Sequence, residues 1–255
     1  MTKKTKPKHK KTKKLYIIFL ILIISIPLAA TYFLLSIPDV EYLKSENPKT
    51  TAMIEQRKQE AQKLGKILKI RQKFTSFNAI PNLLKHTIMV SEDTAFYQHE
   101  GIDYFELKES IKKNLKEGKK ARGGSTITQQ LAKNLFLSTE KSYYRKLKEI
   151  AIAKKLEQHL SKDRIFSLYL NVIELGNGIF GVEAGAEYFF NKSVSRLSLY
   201  EILRLAAVIP KPLKVTPLSN SNYLKWRVNL LLDRLIQYNY ISESQYEAAK
   251  KDFKM

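Results

Sequence analysis

The sequence predicts a mainly α-helical domain preceded by one membrane-spanning helix. Three observations carry that expectation. Apolar residues recur at helical spacing almost without a break from Ile80 to the end, with few alternating β-branched runs. Leu15 to Ile37 forms a stretch of twenty-three residues without one charge. The composition, 44% hydrophobic with nine glycines and eight prolines in 255 residues, fits one globular domain or a small pair and excludes a disordered basic chain or a collagen-like one.

Residues 1–14 hold eight lysines and no acid, and read as a cytoplasmic tail. Residues 15–37 exceed the roughly 20 residues a helix needs to cross a bilayer, and the roughly 7–15 apolar residues of a cleaved signal. Pro27 is tolerable there, because neighbouring groups can satisfy the carbonyl it frees. A cleaved signal ending near Ala29 and Ala30 is the alternative. The flank Pro38, Asp39, Val40, Glu41 lacks lysine, so positive-inside bias sends everything after Ile37 to the far side of the membrane. Residues 38–78, polar with sparse apolar positions until Leu64, Ile67, Leu68 and Ile70, read as a solvated stalk. The remaining domain is then 79–255.

Within it, a helix is expected from Ser142 to Leu160 on a stripe of Tyr143, Leu147, Ile150, Ala153, Leu156 and Leu160. Another runs from Asp163 to Leu175, stopped by Gly176-Asn177-Gly178. A third begins at a capping box of Ser198 and Glu201 and ends before Pro210, and Ser242 with Gln245 starts a short one near the carboxyl end. Cysteine is absent, which excludes disulfides, zinc thiolates and thiol nucleophiles. The formal charge of +21 invites a nucleic-acid reading. The tail carries +8 of it, leaving +13 on a domain placed where genomic DNA is a poor partner.

Three polar clusters stand out. Ser91 to Asp103 carries Glu92, Asp93, Phe96 and His99; it reads either as a structured turn presenting polar groups or as a helix start with Ser91 as N-cap and its carboxylates at the positive dipole end. Arg122 to Asn134 puts two glycines before Ser125, Thr126, Thr128, Gln129 and Gln130, which makes an anion-friendly turn or an ordinary glycine hinge; the Gly-Lys-Ser/Thr of a P-loop is missing. Lys133, Lys141, Arg145, Lys146 and Glu149 form the third. Glu149 borders the apolar stripe and could point into a cleft, or it could make a surface i,i+4 pair with Arg145 worth about a few tenths of a kcal/mol. The histidines lack metal-ligand spacing, and His99 reads as an orienting partner.

Taken in order, EDTAFYQHEG, GGSTITQQLAKN, RKLKE within RKLKEIAIAKKLE, LYLNVIELGNGIFGVEAGAEYFF and LAAVIPKP closely resemble the five motifs of the peptidoglycan glycosyltransferases of family 51, from about Ile80 to Pro212. A serine transpeptidase domain is expected to be lacking, since the SxxK matches at Ser110 and Ser138 have no Lys-Ser/Thr-Gly triplet, so the chain is similar to the monofunctional enzymes. The resemblance implies a lysozyme-like fold with a head lobe and a membrane-proximal jaw lobe, the basic segment from Leu107 to Arg122 belonging to the jaw. It implies polymerisation of lipid II with inversion and release of undecaprenyl pyrophosphate.

By the same resemblance Glu92 is the general base and Glu149 the second catalytic glutamate. Asp93, Phe96 and His99 hold the base and line its pocket. Thr126, Gln130 and Lys133 are donor-site groups, with Ser125 and Gln129 orienting the turn. Lys141, Arg145 and Lys146 face the donor pyrophosphate, Lys141 standing where some relatives have Arg. Asn171, Gly178 and Gly181 are structural. No organic cofactor is implied, and Mg2+ or Mn2+ could share the pyrophosphate charge. The two carboxylates should lie farther apart than the ~5–5.5 Å of a retaining pair. The implied partners are lipid II, the growing lipid-linked glycan, the membrane and cell-wall synthesis or division proteins, with no nucleic acid. Competing readings are a lytic glycosidase, which leaves Lys133, Lys141 and Arg145 without an anion, and a basic membrane scaffold, which leaves the paired glutamates unexplained.

Overall fold

The computed structural model describes residues 9–117 and 124–252. It divides into two units, residues 1–39 and residues 40–255. In the first, α1 (His9–Leu35) contains Pro27 and an apolar stretch, Tyr16–Leu35, of mean hydropathy 2.6. That helix is long and apolar enough to span a bilayer. It stops two residues before the expected Ile37, where Ser36 Oγ bonds back to the Phe33 carbonyl ahead of Pro38.

The second unit contains α2 (Ala52–Lys63), α3 (Asn82–Glu92), α4 (Tyr104–Glu117), α5 (Ile127–Phe136), α6 (Tyr143–His159), α7 (Lys162–Val172), α8 (Val182–Phe190), α9 (Leu199–Ala207), α10 (Asn222–Gln237) and α11 (Glu243–Asp252). Thr51, Thr126, Ser142, Ser161, Ser198 and Ser221 cap α2, α5, α6, α7, α9 and α10, each accepting the backbone N–H three residues on. Each such cap is worth about 1 kcal/mol. Thr126 with Gln129 and Ser198 with Glu201 complete capping boxes, and Ser242 with Gln245 makes the same reciprocal pair at α11.

Two helical groups result. Helix α5 packs on α2, α6 and α7, while α3, α9 and α10 pack on one another, with α8 touching both α7 and α9. A small sheet of order β1-β3-β2 closes one side: β1 (Arg71–Gln72) runs parallel to β3 (Ile179–Phe180), and β2 (Glu174–Gly176) antiparallel to it. The expected helix from Asp163 to Leu175 therefore ends at Val172, because the next residues pair as strands. Asn177 and Gly178 turn that hairpin, Gly178 at φ 75 with no room for a Cβ, which would come 2.5 Å from the Lys69 carbonyl.

The expected stalk is a correction. Val40, Leu43, Met53 and Ile54 are buried, and Met53 and Ile54 pack with Phe180. Arg57 of α2 grips Glu174 with two bonds, Nε to Oε1 at 2.7 Å and Nη2 to Oε2 at 2.8 Å. Few apolar residues suffice when each is buried and the polar face holds a bidentate pair. Residues 73–75 are tied down by Asn171, whose amide accepts from the Thr75 N–H and donates to the Thr75 and Ser167 carbonyls. The basic segment expected in a jaw lobe begins in α4; residues 118–123, which include Arg122 and Gly123, lie outside the described residues.

Candidate active site

Glu92 is the last residue of α3, so Ser91 caps no helix start; the acidic pair sits at a helix carboxyl end, held there by partners rather than by the dipole. Ser91 Oγ donates to Glu92 Oε1 at 2.6 Å, and Arg227 Nη2 donates to Ser91 Oγ at 2.6 Å while lying 3.7 Å from Glu92 Oε1. Gln130 Nε2 donates to Glu92 Oε2 at 3.2 Å. Glu92 opens on a cavity of about 990 Å³.

Asp93 joins two helices. It accepts the Ile127 N–H at the start of α5 at 2.9 Å and faces His99 Nε2 at 3.0 Å through both oxygens. His99 Nδ1 accepts the Gly101 N–H, so the ring proton sits on Nε2 and is donated to Asp93. Phe96 is fully buried against Phe166. Asp93 lines the Glu92 cavity; Phe96 and His99, expected there too, stand behind it.

The second cluster is mostly architecture. Thr126 donates to the Gly101 carbonyl and caps α5, and Gln129 closes the capping box, both side chains buried. Ser125 is exposed and accepts from Lys146 Nζ at 3.1 Å. Gln130 reaches the base. Its Oε1 accepts the Tyr169 hydroxyl at 3.0 Å, and burial, then the charges of Glu92 and Asp93, hold that phenol well above its ordinary pKa. A phenol that stays protonated donates, which leaves the Gln130 NH2 to face Glu92.

Lys133 lines a second cavity of about 350 Å³, which adjoins the first across Gln130 and Pro210 and also carries Arg57, Lys211 and Lys214. Among the described residues its ammonium donates no hydrogen bond. Burial pushes its pKa below the ordinary 10.5, Arg145 and Lys146 push the same way, and Glu149 opposes them.

The third cluster departs from expectation. Glu149 is 3% exposed on the buried face of α6 with Ile152, Ala153 and Leu156, whereas Tyr143 and Leu147 of the expected stripe are 93% and 58% exposed. Helix α5 covers the Glu149 face, and that choice of face decides the difference. Arg145 Nη1 holds Glu149 Oε2 at 2.6 Å and Lys146 Nζ holds Oε1 at 2.5 Å, so the carboxylate lines neither cavity. Lys141 is exposed in the loop before α6 and lines neither cavity.

Sequence pattern alone offered Ser91 only as an N-cap and did not bring Tyr169, Arg227 or the Arg57–Glu174 pair to the site. Arg227 lies 136 residues from Ser91, and no local pattern links them. Among the described residues no three His, Asp or Glu side chains converge as a metal ligand set. The Lys133 cavity carries Arg57, Lys211 and Lys214 with one carboxylate, Glu174, which is itself held by Arg57.

The transglycosylase family profile matches residues 59–236. Biosynthetic peptidoglycan transglycosylases of Herminiimonas arsenicoxydans and Janthinobacterium sp. (strain Marseille) are 40% and 39% identical over 223 residues, covering 88% of this chain and 95% of each of theirs. The solved penicillin-binding protein 1A of Haemophilus influenzae aligns with 72% of this chain and 18% of its own at 21% identity and a TM-score of 0.40.

Proposed function

The chain belongs to the transglycosylase family, and on that premise we propose that it is a peptidoglycan glycosyltransferase that polymerises lipid II into glycan strands. The observation that carries the reading is the join between the Glu92 cavity and the cationic Lys133 cavity across Gln130. A base faces one chamber and an ammonium that donates no hydrogen bond among the described residues faces the next, which suits transfer from an anionic leaving group to a hydroxyl.

Glu92 takes the proton of the acceptor 4-hydroxyl as that oxygen attacks the donor anomeric carbon. The new C–O bond forms with inversion, the bond to pyrophosphate breaks, and its electron pair leaves with undecaprenyl pyrophosphate. Lys133 meets that charge. Its desolvated ammonium gains most when an anion arrives, because attraction is strongest where water is thinnest. Glu149 holds Arg145 and Lys146 in fixed positions beside Lys133, a positioning role. Lys141, being exposed, reaches the donor only from the rim. Mg2+ or Mn2+ arriving with the donor would share the pyrophosphate charge with Lys133.

The apolar helix anchors the chain to a membrane. The lysine tail is cytoplasmic and the catalytic domain lies outside, where the lipid-linked substrate is presented. Cell-wall synthesis or division proteins are the expected protein partners.

The test is a lipid II polymerisation assay with product length read by gel. Glu92→Gln is expected to retain less than about 1% of wild-type synthesis, the loss of a general base, with an unchanged melting curve. Substantial glycan from that variant would remove Glu92 from its role.

A further inference from the structure

One wall of the Glu92 cavity is aromatic. Helix α10 and the turn after it present Tyr223, Trp226, Tyr238 and Tyr240 to it. Trp226 is 57% exposed and Tyr238 44% exposed. The Tyr223 and Trp226 ring centroids lie 5.9 Å apart, those of Tyr238 and Tyr240 6.3 Å apart and nearly parallel. Tyr240 is backed by His86, stacked at 4.0 Å. Large rings left in water along one cavity wall mark a binding surface.

The same cavity carries Glu92, Gln98, Asp103, Glu106, Arg227 and Arg234. That mixture decides the ligand class. A polyprenyl chain would strip water from these charges and amides and return no hydrogen bonds. A pyranose ring suits both surfaces, since its C–H face lies flat on an aromatic ring and its hydroxyls and acetamido group bond to the polar side chains.

We infer that the Tyr223, Trp226, Tyr238 and Tyr240 wall is a saccharide-stacking subsite, with Trp226 as the platform for an N-acetylhexosamine ring of the glycan beside Glu92. The cavity carries the carbohydrate class; the identity of the glycan rests on the glycosyltransferase reading.

Trp226 is the one tryptophan in the sequence, so its emission reports the subsite directly. The full chain in detergent is titrated with a lipid-free β-1,4-linked N-acetylglucosamine tetramer and, separately, with undecaprenyl phosphate. A saturable emission change with the tetramer and none with the prenyl phosphate is expected. Trp226→Ala should raise KM for lipid II about fivefold with kcat within about twofold, and Tyr238→Ala should act in the same direction more weakly. An emission that ignores the tetramer, or answers the prenyl phosphate instead, overturns the subsite. So does an unchanged KM in both variants. Polymerisation by wild type with a silent tryptophan would sink the subsite and leave the enzyme reading standing; a responding tryptophan without polymerisation would do the reverse.

Discussion

Tyr169 shows how a buried residue can aim a base through its neighbour. Its buried phenol donates to Gln130 Oε1, and the amide then has one orientation in which it can donate to Glu92. Tyr169→Phe removes the constraint while keeping the ring among Phe166 and its neighbours. Turnover should fall about fivefold, the worth of one net hydrogen bond, with KM nearly constant; unchanged turnover would show that the Gln130 orientation is set elsewhere. Lys133 makes a second residue-scale prediction. Its folded pKa is lowered, so between that value and the ordinary 10.5 the folded protein binds fewer protons than the unfolded chain, and stability rises with pH in that window. An arriving pyrophosphate needs the proton present. Donor affinity should therefore weaken at a pH below that of an ordinary lysine, and Lys133→Arg should extend it to higher pH, measured as KM against pH for both proteins. Lys133→Ala should impair donor use more than acceptor use, and equal loss of both would remove its pyrophosphate role.

At the scale of elements, the site depends on junctions. Asp93 ties the end of α3 to the start of α5, and through His99 to the Gly101 turn, so base and donor-side helix move together. Helix α2 is fastened by Arg57 to Glu174 of β2, with both side chains largely buried. Removing one partner of such a pair strands the other charge. Arg57→Ala should cost about 3 kcal/mol in denaturant unfolding, the low end of the range for buried pairs because Arg57 keeps some contact with water. Replacing both, Arg57→Met with Glu174→Leu, should recover most of that loss. A single variant as stable as wild type would show that α2 is held without the Arg57–Glu174 pair.

On the scale of the whole chain, the charge is divided, with +8 in the first fourteen residues and +13 beyond. The proposed orientation puts the first in the cytoplasm, and the absence of cysteine allows a clean test. In cells, Asp39→Cys should react with a membrane-impermeant maleimide added outside, and Thr2→Cys only after the membrane is opened. The opposite pattern would invert the topology. Loss of the helix by cleavage would leave Thr2→Cys undetectable in the mature protein.

Much of this was legible because it is local. The boundaries of α6 and α9, the capping box at Ser198, the helix start at Ser242 with Gln245, and the apolar helix follow from spacing over a few residues, where hydrogen bonds and periodicity act within one turn. The ordered motifs likewise brought Glu92, Gln130 and Lys133 forward from the sequence alone. What the sequence left open was which face each helix buries and which distant groups meet. Glu149 went inward and Tyr143 outward because α5 covers one side of α6. Residues 40–72 joined the domain because Arg57 found Glu174, 117 positions away. Arg227 reached Ser91, and Tyr169 reached Gln130, across even less predictable separations. Those pairings are set by the packing of whole elements, since a hydrogen bond between remote residues leaves no periodic trace in the chain that makes it.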